Sequence, residues 1–478
     1  MNLQRAWSAI PLLAVCGLLA GWIVISAANA QAIGFSIFVF AVANVIVYTD
    51  ALDFALRLYM RRRHTAAAAG VSDGSQKGNL SINIAAILPP DARRMVSALP
   101  FAIIASVYNL EDQLEEFMEA FAPYRDRVWL ISDGSTDNTV LRLTQAGWRC
   151  IDDGVNRRKP AALRRLLEHV PNHIETVMVI DPDIRIRGLN DGSTIDLNRF
   201  VSDFQQSGAA AACPRIMIEP DGFLARFQAF EYALAFRVGR ESLSDFSITS
   251  GASFYRRSAL TLALSEHSLS VYAEDFENAV ILLSHGERIY YDGRLVVSTE
   301  GPGSLQRWFS QRVGWYHGLL KVYTERFAEV LRISRRSTFA AYHYLVYVGI
   351  LSLAMHLIKI ASATLLLLSF MSGLDALLLD GFVPRGTLIN PEYFAAAISS
   401  YLALGVIALF TSVPKGERSY VAPIVPLYLC YAIVHIVPMT VGFANFFALK
   451  LIHRRIYQDH YESPADSTVA SKHVQVVQ

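Results

Sequence analysis

Two aspartates stand one residue apart in "VMVIDPDIRI", residues Val177–Ile186. The β-branched apolar run ahead of them reads as a buried strand. Asp181 and Asp183 therefore fall at its carboxyl end, with Pro182 between them. At that spacing in extended chain their side chains share a face. Hard divalent cations such as Mg²⁺ take carboxylate oxygens together with substrate phosphates, so the pair is a candidate metal site that a diphosphate also touches. An Asx-Pro turn that simply ends the strand is the other reading.

Three further stretches have the same double character. "SDGSTDNT" (132–139) also ends a strand. Asp133 and Gly134 make a tight turn there, and Thr136 or Asp137 can cap the helix that follows. "YAEDFENAV" (272–280) places Glu274 and Asp275 before a helix. Acids are favoured at a helix N-terminus on electrostatic grounds alone, but a carboxylate at a cleft edge can also serve as a general base. "STEGPGSLQRWFSQRVGWYHG" (298–318) gathers Gln, Arg and Trp ahead of an apolar region. Taken by itself it reads as an interfacial amphipathic helix with a tryptophan anchor.

The elements that position these residues follow from the pattern between about 99 and 300. "FAIIASVYN", "RVWLISDGS" and "ETVMVIDPD" read as strands. "LEDQLEEFMEAFAPY", "TDNTVLRLTQAG" and "KPAALRRLLEHV" read as helices. Strands alternating with helices imply an α/β domain whose largely parallel sheet is covered on both faces. Ligands of such sheets bind at the carboxyl ends of strands, where Asp133, Asp181 and Asp183 lie. The segment 64–98, rich in Ala, Gly and Ser, reads as a linker.

The rest of the chain is apolar. Of its 478 residues 53% are hydrophobic and only 18% charged, which is greasy for a soluble protein. The net charge of +1 gives no sign of a nucleic-acid partner. Cys16, Cys150, Cys213 and Cys430 are scattered and form neither a disulfide framework nor a zinc pattern. No charged residue lies between Arg5 and Asp50, room for two membrane spans at about 7–28 and 32–49. Cleavage of a signal peptide after "SAANA" at Ala30 is the rival reading, although the apolar run from Ile10 is long for it. Arg57, Arg61, Arg62 and Arg63 follow, and the positive-inside rule then puts the α/β domain in the cytoplasm. Towards the other end, apolar runs cover 337–374, about 393–413, and 419–449. The loop "VPKGERS" and the tail "KLIHRR" are both basic and both want the cytoplasmic side. Either the 419–449 run folds as a short hairpin around Pro438, or the 337–374 run is partly interfacial. His356 and Lys359 lie inside an apolar run, where ionisable groups are functional candidates; Lys359 can also simply snorkel.

Together and in order, these motifs resemble a membrane-embedded family 2 glycosyltransferase, similar in pattern to cellulose, chitin, hyaluronan and poly-N-acetylglucosamine synthases. The resemblance covers about 100–320 and the flanking spans. It implies a nucleotide-sugar-binding glycosyltransferase A-type α/β domain, with a mixed, mainly parallel sheet flanked by transmembrane helices. Its parts would be an N-terminal hairpin (1–63), a linker (64–98), a cytoplasmic transferase domain (99–300) and interfacial helices (301–336). A transmembrane region (337–455) and a tail (456–478) would complete it. By resemblance, "SVYN" brings Tyr108 and Asn109 to the nucleotide pocket, Asp133 contacts the base, and Lys159 lines the same site. Asp181 and Asp183 hold Mg²⁺ or Mn²⁺ against a UDP diphosphate, and "SGASFYRRSAL" (250–260) lies on the acceptor side. Asp275, beside Glu274, is the general base; Gln311, Arg312 and Trp315 meet the acceptor and diphosphate.

The implied activity is inverting transfer from a UDP-sugar to a growing polysaccharide, with passage of the polymer across a bacterial-type inner membrane. The partners would be the donor, a glycan or lipid-linked acceptor, the bilayer and accessory export subunits. Transfer of a single sugar to a lipid, and an inactive scaffold, are the alternatives. Three departures from the family pattern bear on substrate and processivity: Gly314 stands where an arginine is usual, "NLED" replaces Asn-Glu, and "AED" replaces Thr-Glu-Asp.

Overall fold

Asn44 interrupts the first apolar run. Its amide donates to the Phe40 carbonyl (3.1 Å), competing with the helical ladder. The helices on either side, α1 (Ile33–Ala43) and α2 (Val45–Val71), are bent 63° apart across this break. The computed structural model describes residues 33–71, 100–189, 197–269, 272–378 and 388–457. The expected first span, the cleavage site at Ala30, linker residues 72–98 and the tail from 458 lie outside the described residues. The helix α2 runs into the expected linker as far as Val71, through an alanine-rich stretch that favours helix.

Arg57 on α2 is expected to mark topology. The structure buries it, 3% exposed, in an ion pair with Asp53 (2.8 Å). Its guanidinium also meets the Gly239 carbonyl (3.3 Å) and His343 Nδ1 (3.1 Å), and lies 4.3 Å from the centre of the Tyr347 ring. Arg61 donates to the Arg237 carbonyl (2.8 Å), and His64 meets the Ser242 carbonyl (3.1 Å). This arginine-rich helix end fastens α2 to the α/β domain.

That domain holds an eight-stranded sheet among the described residues. Its strands are β1 (Phe101–Val107), β2 (Val128–Ser132), β3 (Cys150–Ile151), β4 (Thr176–Ile180), β5 (Arg185–Leu189), β6 (Ala211–Ile218), β7 (Ala252–Arg256) and β8 (Ile289–Thr299), in the order β3-β2-β1-β4-β7-β6-β8-β5. Four pairings are parallel and three antiparallel, so the sheet is mixed. Every residue of β4 is buried, as a strand covered on both faces requires. Alternate residues of β4 feed opposite cores. Val177 and Val179 pack with Leu163, Leu166 and Tyr255; Met178 and Ile180 pack with Phe117, Phe121 and Phe254. One consequence of the topology matters for the site. β7 runs antiparallel to β4, with Ile180 opposite Ala252, so the residues that enter β7 lie at the carboxyl end of β4.

Four helices of this domain concern the site and its seam. They are α3 (Lys159–Leu167), α4 (Gly222–Leu234), α5 (Glu274–Ser284) and α6 (Leu305–Glu325). Beyond them are α7 (His356–Leu378), α8 (Pro391–Ser412) and α9 (Tyr428–Ile452). Three helical stretches among the described residues are long and apolar enough to cross a membrane: His356–Leu378, Pro391–Ser412, and Lys415–Ile452, which ends in α9. The 419–449 run does not fold as a hairpin, because α9 continues through Pro438. It is the 337–374 run that divides, at Met355, into a shorter apolar helix (Thr338–Ala354) and α7.

Breaking a buried ion pair by removing one partner costs on the order of 3 kcal/mol or more. Arg57→Ala is therefore expected to lower the unfolding midpoint of the detergent-solubilised protein by several degrees. An unchanged midpoint would show that the α2 fastening contributes nothing.

Candidate active site

The carboxyl ends of β1, β2 and β4 form one edge. At β4, Asp181 N–H donates to the Gly251 carbonyl (2.7 Å), and Ile184 N–H donates back to the Asp181 carbonyl (3.0 Å). Asp181 to Ile184 is thus a tight turn. It is this turn, not an extended face, that holds Asp181 and Asp183 close. The Asp183 carboxylate accepts a hydrogen bond from the Thr299 hydroxyl at the end of β8. Gly251 is required by sterics: a Cβ there would fall on the Asp181 carboxylate. The acid lies in the cradle that the missing side chain leaves.

Lys159 begins α3 and reaches into the same cradle. Its Nζ lies 2.5 Å from Asp181 Oδ1 and 2.7 Å from Glu274 Oε1. Glu274 and Asp275 open α5, after Ala273 takes the left-handed conformation (φ +58°) that turns the chain into the helix. The Asp275 carbonyl accepts from the Thr249 hydroxyl (2.8 Å). Arg240 approaches from behind, tied to the Ile248 carbonyl and to that of Thr249 (2.8 Å).

Three acids, Asp181, Glu274 and Asp275, thus surround one lysine, with Asp183 beside Asp181. Burial pushes Asp181 up to about 6; Lys159 opposes the shift, while Asp183 and Glu274 add to it. Burial pushes Asp275 up to about 7, Glu274 adds to it, and Lys159 opposes it. Burial works against the charge on Lys159, but Asp181, Glu274 and Asp275 outweigh it and hold its pKa well above the usual lysine value. The cluster has more negative charge than the protein neutralises. Among the described residues no three His, Cys, Asp or Glu side chains converge as a complete metal shell. The donor set instead fits a hard divalent cation held by one or two carboxylates and completed by phosphate oxygens.

The loops beside β1 and β2 brace each other. Asn109, itself left-handed (φ +47°), accepts from Thr136 N–H (2.8 Å), and Leu110 N–H donates to the Thr139 hydroxyl (2.8 Å). Asp137, one of the two expected caps, accepts from Thr139 N–H (3.0 Å) and Glu111 N–H (3.1 Å). Glu111 of "NLED" accepts from Asn138 N–H (3.1 Å) and its amide (2.8 Å). The side-chain oxygen of Asn109 is therefore spent within the loop, whereas Tyr108 is 43% exposed on the same edge. Asp133 is buried at the end of β2, and its Oδ1 accepts from Arg157 N–H (2.6 Å). Burial raises its pKa against the backbone N–H groups of Arg157 and Arg158.

Of the expected acceptor residues, Gln311 and Trp315 lie on α6, with Trp315 39% exposed. Arg312 is the buried one of the three. It is 1% exposed, paired with Glu231 of α4 (2.7 Å), and its guanidinium lies 4.0 Å from the centre of the Trp315 ring. Glu231 also accepts from the Tyr431 hydroxyl (2.8 Å), which itself accepts from Trp308 Nε1 (3.0 Å). Helical periodicity turns Arg312 away from Gln311, into the seam between α4, α6 and α9. Sequence reasoning missed Glu231, Tyr431 and Thr299. A buried partner far along the chain leaves no local pattern. Gly251 did lie in a stretch already singled out, "SGASFYRRSAL".

The glycosyl transferase family group 2 model matches residues 192–435, half of the chain, and the glycosyl transferase family 2 model matches 102–261. Among solved structures, a mannosyltransferase from Pyrobaculum calidifontis, in complex with GDP-Man and Mn²⁺, is 16% identical. The match covers 84% of this chain and 99% of that one, with a TM-score of 0.48. Glucosyl-3-phosphoglycerate synthase from Mycobacterium tuberculosis, with Mn²⁺ and UDP-glucose, is also 16% identical. That match covers 48% of this chain and 82% of that one, with a TM-score of 0.32. No curated relative matches the chain.

Gly251→Ala is expected to force the Asp181 carboxylate out of its cradle and off Lys159. A displacement of about 1 Å at such a centre costs on the order of 100-fold in rate. The turnover of protein that still elutes as a folded species checks this; wild-type turnover would remove Gly251 from the site.

Proposed function

The chain belongs to the glycosyl transferase family group 2, whose members move a sugar from a nucleotide-sugar donor, and from that premise we propose a metal-assisted, inverting transfer to an acceptor delivered at the membrane. The acceptor hydroxyl oxygen attacks the anomeric carbon and the bond to the diphosphate oxygen breaks. The electron pair leaves with the diphosphate, and the hydroxyl proton goes to Asp275 Oδ. One base suffices for a single displacement. Asp181 and Asp183 would hold a divalent cation, which when bound would neutralise charge developing on the leaving diphosphate. Lys159 keeps Asp181 and Glu274 together while the leaving group departs. Tyr108 and Asp133 border the nucleoside end of the same edge, and Trp315 offers a ring to the acceptor sugar.

The observation that supports a membrane-delivered acceptor is the seam on α6. The helix with Gln311 and Trp315 is bonded through Trp308 and Tyr431 to α9, in one of the apolar stretches long enough to cross a bilayer. We read the product as a polysaccharide passed between the spans of an inner membrane, with UDP-sugar as donor, the catalytic domain on the cytoplasmic side and export subunits as partners. Gly314, which offers no charge where the resembling synthases carry arginine, favours a second reading, single addition to a lipid carrier.

Membranes carrying the protein, given Mg²⁺ or Mn²⁺ and a panel of nucleotide sugars, should release nucleoside diphosphate from one donor and form a long product. Asp183→Ala should abolish both. A short lipid-bound product would replace the polymer reading by the second one. Asp275→Asn should leave the protein folded and without transfer; full activity would sink the assignment of the base. The base must be unprotonated to accept, and burial holds Asp275 at about 7. The rate should therefore fall as pH drops below about 7, and a rate flat down to pH 5 would contradict the role.

A further inference from the structure

Two glycines on α6, Gly314 and Gly318, are one turn apart and so share a face. That face is not open. A Cβ on Gly318 would lie 2.7 Å from the Tyr272 carbonyl carbon and 2.7 Å from its Cβ. A Cβ on Gly314 would run into the Tyr272 ring, 2.7 Å from Cδ1. The chain therefore crosses α6 at Gly318, and the tyrosine ring lies along the helix over Gly314. The volume that a side chain at 314 would occupy belongs to Tyr272. The next residue, Ala273, is left-handed, and the two after it are Glu274 and Asp275. The Tyr272 hydroxyl is buried and has no hydrogen-bond partner, so the fit of the ring, not a polar contact, seats it.

We propose that Tyr272 is a positioning residue: its ring, wedged on the Gly314–Gly318 face, fixes the start of α5 and hence the base against the acceptor-bearing helix α6. This rests on the transferase reading above, and it accounts for Gly314. A long side chain at that position would expel the wedge. An ordinary loop before α5 would leave the distance between the base and the acceptor helix free to vary. Here the two residues that follow the wedge inherit its position.

The test compares Tyr272→Phe, Tyr272→Ala and Gly314→Ala. Tyr272→Phe keeps the ring and removes a hydroxyl that makes no bond, so transfer should stay within about twofold of wild type. Tyr272→Ala should lower kcat for transfer on the order of 100-fold, leaving the KM for the donor and the affinity for UDP or GDP unchanged. Gly314→Ala should reproduce that split. Hydrogen exchange reads the wedge without substrate. The Glu277 amide, bonded to the Ala273 carbonyl (2.9 Å), should exchange faster in the alanine variants and not in Tyr272→Phe. Tyr272→Ala at wild-type kcat would overturn the proposal, as would Tyr272→Phe as impaired as Tyr272→Ala, or donor affinity lost in step with kcat. A wild-type protein inert with every donor, but with exchange as expected, would instead count against the functional reading while the wedge stood.

Discussion

Charge crowding at one sheet edge is the constraint on which the site depends. Asp181, Asp183, Glu274 and Asp275 come from two separate elements, and Lys159 is the cation in direct contact with two of them. Partly buried carboxylates are costly unless paired. The fold meets this cost incompletely: Lys159 holds two acids in contact, and the surplus appears as raised pKa values on Asp181 and Asp275. A cluster fully neutralised by protein cations would be more comfortable and would have no use for a metal. The strand order serves the same end. Placing β7 antiparallel beside β4 brings Gly251 to the point where the Asp181 carboxylate needs room.

The second organising feature is the polar seam between the sheet domain and the apolar helices. Arg57 and Arg312 are both nearly inaccessible, and each is paired with an acid, Asp53 on its own helix or Glu231 on α4. Arg215 extends the seam through Glu417 (2.5 Å), at the start of the last apolar stretch. Such pairs are weak as a source of net stability, but each charge stranded by a change at its partner is expensive. They specify how the two parts meet more than they hold them together. The sheet domain is accordingly built on the apolar helices, not tethered to them.

Much of this was legible in the sequence, and what was not has a physical reason. β1, β2 and β4 are buried on both faces, so each appears as a short apolar run with turn residues behind it. The antiparallel half left weaker traces. β6 contains Pro214 and β8 contains Asp292 and Gly293, which disguise both strands. The acids at 181, 183, 274 and 275 were readable as a set, and the structure brings them together. The protein partners of Arg312 and Asn109 were not legible for one reason: a polar side chain in a motif gives no local sign of whether its partner is a ligand or the protein. The burial of Arg57 was hidden likewise, because a basic helix end looks the same whether it faces water or an acid. The Tyr272 wedge could be read only in space, since its seat is more than forty residues further along the chain.

The pairing of β5 with β8 has a consequence in time. β5 ends at Leu189, but the strand it pairs with begins at Ile289, and the hydroxyl that meets Asp183 belongs to Thr299. A ribosome adding about 5–20 residues per second needs roughly 5–20 s to cover that interval. Throughout it the edge of β5 is unpaired, Asp183 lacks its hydroxyl partner, and for most of it Glu274 and Asp275 have not emerged. The nascent chain therefore carries only half of the acid cluster. The complete cluster assembles late in synthesis, when the chain is about to enter its last apolar helices.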